Sequence, residues 1–175
     1  MRAFYGIVFD HETKNMISTI QNEVKQVTSR GKFVPMENFH ITLKFLGDID
    51  SNEFDDYCDL LDRAVGGFNP FKISTQGIGE FTKANKSMPY IGIKESKALI
   101  AMNKNIQQMV NRSYLTRFEN FTPHITLARQ AEMKEKASLI EMKNFNIEVS
   151  KIALFESKNE NNKLIYTERA IIRLV

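Results

Sequence analysis

A chain of 175 residues with 42% hydrophobic and 26% charged side chains has the balance of a globular protein, long enough for one domain or two closely packed lobes sharing a core. No apolar run approaches the length that spans a bilayer, and the single cysteine, Cys58, excludes an internal disulfide and fits a reducing cytoplasm. A formal charge of +3 permits a phosphate-bearing ligand but falls short of the basic stripe of a dedicated nucleic-acid binder.

Residues 2–9, rich in aromatic and β-branched side chains, read as a first strand rather than a signal peptide. Asp10 is placed to cap a helix over about 11–29, with Met16, Ile17, Ile20, Val24 and Val27 on one stripe and Gly31 as its stop. That cap puts His11 in a first helical turn, the ordinary account of Asp10-His11-Glu12 against a metal ligand. A second strand runs from His40 to Leu46 and closes at Gly47. Asp50 and Glu53 form a capping box for a helix carrying Phe54, Tyr57, Leu61 and Val65, with Cys58 as a small core residue, ended by Gly66-Gly67 and Pro70. Two strands follow, Phe71–Phe81 and Tyr90–Lys94, then an amphipathic helix over about 97–113 bearing Leu99, Met102, Ile106, Met109 and Val110. The remainder predicts a strand from His124 to Arg129, a short helix near 133–142, and strands Ile147–Phe155 and Leu164–Leu174 joined by an Asn-rich turn at 159–162. Helices and hairpin-like strand pairs are mixed, so the class is α+β, a single domain of two lobes over 1–175.

One repeat stands out. His40-Ile41-Thr42-Leu43 recurs letter for letter as His124-Ile125-Thr126-Leu127 and takes two of the three histidines. Strand side chains alternate faces, so each copy sends His and Thr one way and Ile and Leu the other. The apolar pair anchors the strand; two such strands side by side would array two imidazoles and two hydroxyls in one cleft. That set suits a phosphodiester. In-line hydrolysis needs a base for water and an acid for the departing oxygen, and histidine does either job near neutrality. Thr42 and Thr126 could donate to non-bridging oxygens, and Arg129 could add a charge-assisted phosphate contact. Strict alternation sends Arg129 to the wrong face, so the strand must end or bulge before it. Taken singly, a His-x-Thr is more often structural, and Arg129 a surface charge; the exact repetition favours function. No ligand set for a metal accompanies the histidines, nor a glycine-rich phosphate loop. A metal-free pair of imidazoles predicts a rate that rises and falls with pH around a maximum near neutrality.

The motifs and their surroundings, from Arg2-Ala3-Phe4 through Phe33-Val34-Pro35-Met36-Glu37-Asn38-Phe39-His40-Ile41-Thr42-Leu43-Lys44-Phe45-Leu46-Gly47 and Phe121-Thr122-Pro123-His124-Ile125-Thr126-Leu127-Ala128-Arg129 to Leu154-Phe155-Glu156-Ser157, resemble the RNA 2′,3′-cyclic phosphodiesterases, the LigT-like branch of the 2H phosphoesterases. The likeness implies a bilobal, pseudo-twofold α+β fold of two antiparallel-rich sheets, helices outside, around a central cleft. It implies opening of 2′,3′-cyclic phosphates on RNA to 2′-phosphates without metal or other cofactor, and the reverse 2′–5′ joining of RNA. By the same likeness His40 is the proton donor to the leaving 3′ oxygen, His124 the base acting on water, and Thr42, Thr126 and Arg129 bind the phosphate. The implied partners are cyclic-ended RNA or oligonucleotides and cyclic nucleotides, for a cytoplasmic monomer with no membrane attachment. Two alternatives stay open on the sequence: a non-catalytic nucleotide- or RNA-end-binding module, and a hydrolase for ADP-ribose cyclic phosphate.

Overall fold

The computed structural model describes all 175 residues. Ten strands form two sheets. The four-stranded sheet has the order β10-β9-β1-β3, with β1 at Arg2–Val8, β3 at His40–Asp48, β9 at Lys151–Glu160 and β10 at Lys163–Arg173. The six-stranded sheet contains β2 (Thr28–Phe33), β4 (Phe71–Lys83), β5 (Lys86–Ile93), β6 (His124–Thr126), β7 (Ala128–Met133) and β8 (Asn146–Val149). Its path runs β2-β7-β5-β4-β8, with β6 also paired to β5, and every recorded pairing in both sheets is antiparallel. Helices α1 (His11–Gln26), α2 (Phe54–Val65) and α3 (Lys97–Tyr114) complete the α+β architecture. One core of 31 buried residues spans both sheets: Tyr5, Ile7 and Ile41 from the first meet Ile91 and Ile125 from the second.

The capping and turn chemistry expected of the sequence is present at several ends. Asp10 accepts from the Thr13 N–H at 2.7 Å and starts α1, which sets His11 in its first turn. Asn161 and Asn162 adopt left-handed φ values of 51° and 63° between β9 and β10, a pair suited to a tight hairpin turn.

Four expectations need correction. Helix α1 stops at Gln26, because Thr28–Phe33 is already a strand. This edge strand pairs with β7 alone and leaves most side chains in water, so it carries no alternating apolar pattern. Asp50 does not box α2. It accepts from the Asn52 N–H at 2.9 Å and caps a 3₁₀ turn over Ser51–Glu53, after which α2 begins at Phe54 with no side-chain cap. The helix expected near 133–142 is only a 3₁₀ turn, Ala137–Leu139. The Ala137 N–H, which such a helix would have turned to the Met133 carbonyl, is taken by the Glu80 carboxylate at 2.8 Å, while the Lys134 N–H ties the start of the segment to the Val27 carbonyl at 2.7 Å. Finally, the apolar run Ile147–Phe155 is two strands parted at Ser150, where the chain leaves one sheet for the other.

Candidate active site

The first copy of the repeated tetrapeptide lies within β3 and the second on β6 with Leu127 just past its end; in each, Ile and Leu are buried and His and Thr half-buried. Strands β3 and β6 run against one another, although they belong to different sheets. This juxtaposition brings the two copies together.

The histidines are fixed in the same way. His40 Nδ1 lies 2.7 Å from the Asn38 carbonyl, and His124 Nδ1 lies 2.6 Å from the Thr122 carbonyl. A carbonyl only accepts, so each Nδ1 carries the proton and each Nε2 is left for chemistry. His40 Nε2 accepts from the Thr42 hydroxyl at 2.8 Å in the neutral ring, a bond without counterpart at His124 and Thr126.

Their surroundings differ in degree. The His40 ring sits 4.8 Å from Phe4, 5.1 Å edge-on to Tyr166 and 5.8 Å from Phe155. This apolar box strips water from the imidazolium and pushes the His40 pKa down to about 4. The Asn38 carbonyl opposes the shift, and the charges of Arg129 and His124 add to it. His124 packs against Phe81 and Tyr90 at centroid distances of 5.1 and 5.4 Å. Burial also holds it below the ordinary histidine value, with Thr122 opposing and Arg129 assisting. Tyr90 reaches this position because residue 79 is glycine: a Cβ there would lie 2.6 Å from the Tyr90 hydroxyl.

Arg129 reaches the site as the alternation argument required. Strand β6 ends at Thr126, β7 restarts at Ala128, and Gln130 takes a left-handed φ of 49°. The Arg129 guanidinium lies 3.5 Å from the Met88 sulfur, near enough to both histidines to depress them. Thr42, Lys44, Gln107, Glu119, Thr122 and His124 share a small cleft of about 100 Å³. No three His, Cys, Asp or Glu side chains converge as a metal-ligand group.

Sequence reasoning missed the buried amides that hold this arrangement. Gln21, on α1, donates to the carbonyl of Leu127 at 2.9 Å, the last residue of the second copy. Asn103, on α3, donates to the carbonyl of Leu43 at 2.8 Å, the last residue of the first. Each helix thus ties down one tetrapeptide. Gln107 extends the network by bonding the backbone N–H and carbonyl of Glu119, both at 2.7 Å, and Lys44 donates to the Arg117 carbonyl at 3.3 Å. Asn38 donates to the Leu164 carbonyl at 2.7 Å and so anchors the carbonyl that orients His40 to β10. A signal existed: Gln21, Asn103 and Gln107 interrupt apolar helical stripes, where a polar residue needs a buried partner.

Two histidines on adjoining strands of the two sheets, each with its Nδ1 locked and both depressed by the charge of Arg129, form the kind of site a two-histidine phosphoesterase needs on an α+β fold. The family model of the 2′-5′ RNA ligase superfamily matches residues 17–161, and the chain belongs to that superfamily. It is 25% identical to the RNA 2′,3′-cyclic phosphodiesterase of Methanothermobacter thermautotrophicus, with 99% of each chain covered. It is 30% identical to the enzyme of the same description from Archaeoglobus fulgidus, over 74% of this chain and 72% of that one. Among solved structures, TT0787 of Thermus thermophilus superposes with a TM-score of 0.82 at 25% identity, covering 99% of this chain and 98% of the other.

Proposed function

We propose that this protein hydrolyses 2′,3′-cyclic phosphate ends of RNA to 2′-phosphates, with His40 and His124 as the acid–base pair and no metal in the step. The observation that carries the reading is the paired locking of Nδ1 in the two copies, which makes each Nε2 the working atom. In the reaction, water attacks phosphorus as His124 Nε2 takes its proton. The bond from phosphorus to O3′ breaks, and His40 Nε2 gives its proton to O3′, leaving a 2′-phosphate and a free 3′-hydroxyl. One proton enters the pair and one leaves it, so the histidines finish with their roles exchanged.

The free site does not hold the His40 proton well, because burial pushes its pKa to about 4. An anionic phosphate beside the ring reverses part of that cost by pairing with the imidazolium. As His40 becomes protonated, Thr42 loses its acceptor on Nε2, and its hydroxyl turns to a non-bridging oxygen. Thr126 serves another such oxygen, and Arg129 meets the charge that builds up in the transition state.

The test is product analysis on a 2′,3′-cyclic nucleotide with EDTA-treated protein. The expected outcome is the 2′-phosphate isomer at an unchanged rate. A 3′-phosphate product would overturn the assigned bond cleavage. Activity lost to EDTA and restored by zinc or manganese would overturn the metal-free step.

A further inference from the structure

The site occupies one end of a longer surface on the six-stranded sheet. Register partners across antiparallel strands share a face. Arg129 is the partner of Lys32, and Glu132 that of Arg30. On β5, Tyr90 contacts His124 and Met88 contacts Arg129, and alternation carries the same face on to Lys86. Lys86 is the partner of Lys83 across the hairpin turn. From Gly92, the partner of His124, to Lys86 is six residue steps of β5, about 20 Å of strand.

Beside Arg129 along this face lies a cleft of about 460 Å³ walled by Arg30, Gly31, Lys32, Lys86 and Gln130. Its wall has three cations and no acidic or apolar side chain. The left-handed φ of Gln130 bulges β7 at this point, next to Arg129. The acid paired with Arg30 across the strands, Glu132, is engaged by Lys86, and its carboxyl is held below the usual range mainly by that contact. Arg30 and Lys32 are exposed, and neither forms a salt bridge. The modest net charge of +3 conceals this concentration.

We propose that this cleft receives backbone phosphates of the RNA strand leading to the cyclic end, so that the enzyme prefers cyclic-ended oligoribonucleotides to cyclic mononucleotides. The proposal rests on the cyclic phosphodiesterase reading of the histidine site and extends its substrate from a terminal group to a strand. A mononucleotide fills the histidine cleft and leaves Arg30 and Lys32 unoccupied. An oligonucleotide brings further phosphates, each of which releases counterions on meeting a cation and makes binding salt-dependent.

The experiment compares kcat/KM for a 2′,3′-cyclic mononucleotide and for a short single-stranded RNA with the same end, in wild type and in Arg30→Gln/Lys32→Gln. The expected result is a roughly tenfold fall in the oligonucleotide-to-mononucleotide ratio. The salt dependence of oligonucleotide binding should also lose about 1.4 in log–log slope, about 0.7 for each phosphate contact removed. Arg30→Lys/Lys32→Arg should keep the wild-type ratio. An unchanged ratio in the neutral variant overturns the proposal. So does an equal fall in Lys97→Gln/Lys104→Gln, which removes the same charge from α3. Fluorescence anisotropy with an RNA ending in a 2′-phosphate separates the two readings. If wild type cleaves neither cyclic substrate, the activity assignment fails, and the strand path is judged on whether the neutral variant flattens the salt slope.

Discussion

At the scale of single residues, burial sets when the pair can work. Catalysis needs one imidazole charged and one neutral, but both are held below the ordinary histidine value in the free protein, His40 to about 4. The working form, with one proton on the pair, is therefore depleted as pH rises past a value below the usual 6.5, and kcat/KM, which reports free enzyme, should fall from there upward. Its maximum is expected on the acid side of neutrality, between about 4 and 6.5, rather than near neutrality as the bare pair of histidines implies. In the complex the phosphate anion raises both values, so the bell of kcat should lie at higher pH than that of kcat/KM. Arg129→Gln removes a cation that depresses both rings and should move the alkaline limb of kcat/KM upward. A limb that stays put, or a kcat/KM maximum at or above neutrality, would contradict this account. The proposed acid–base pair was legible because its motif repeats. The aromatic box of Phe4, Phe155 and Tyr166 that detunes His40 was not, because it joins β1 at one end of the chain to the β9–β10 hairpin at the other.

At the scale of elements, periodicity exposed the three helices and most strands, since each buries one face. It failed where burial does not alternate. Strand β2 is polar on both faces, and the split at Ser150 leaves an apolar run continuous through a change of sheet. The cross-ties from α1 and α3 were equally hidden, because a buried amide reads as an interruption of a stripe until its partner is known. Gln21→Leu and Asn103→Leu keep the volume but leave the carbonyl of Leu127 or Leu43 with a lost partner. Each should cost about 1–3 kcal/mol, read as a lower denaturant midpoint at unchanged slope. A change of less than about 0.5 kcal/mol, the scale of an ordinary exposed substitution, would mean that neither amide matters to the fold.

At the scale of the whole molecule, the site exists only because two sheets share one core. His40 stands on the four-stranded sheet and His124 on the six-stranded sheet, and β3 and β6 meet where the sheets pack. The α+β class and the symmetry of the motifs were readable from the chain. Which strands join which sheet was not, because pairing depends on contacts between segments far apart. The resemblance carried the fold, and the superposition on TT0787 agrees with it. The central claim is that side chains from the two sheets act as one acid–base unit, and single-turnover rates of His40→Ala, His124→Ala and the double variant test it most directly. Each single should lose roughly 10²–10⁴-fold in rate. The double should be scarcely slower than the slower single, because removing either member disables both. Near-wild-type turnover in either folded single variant, or losses that multiply in the double, would contradict the claim.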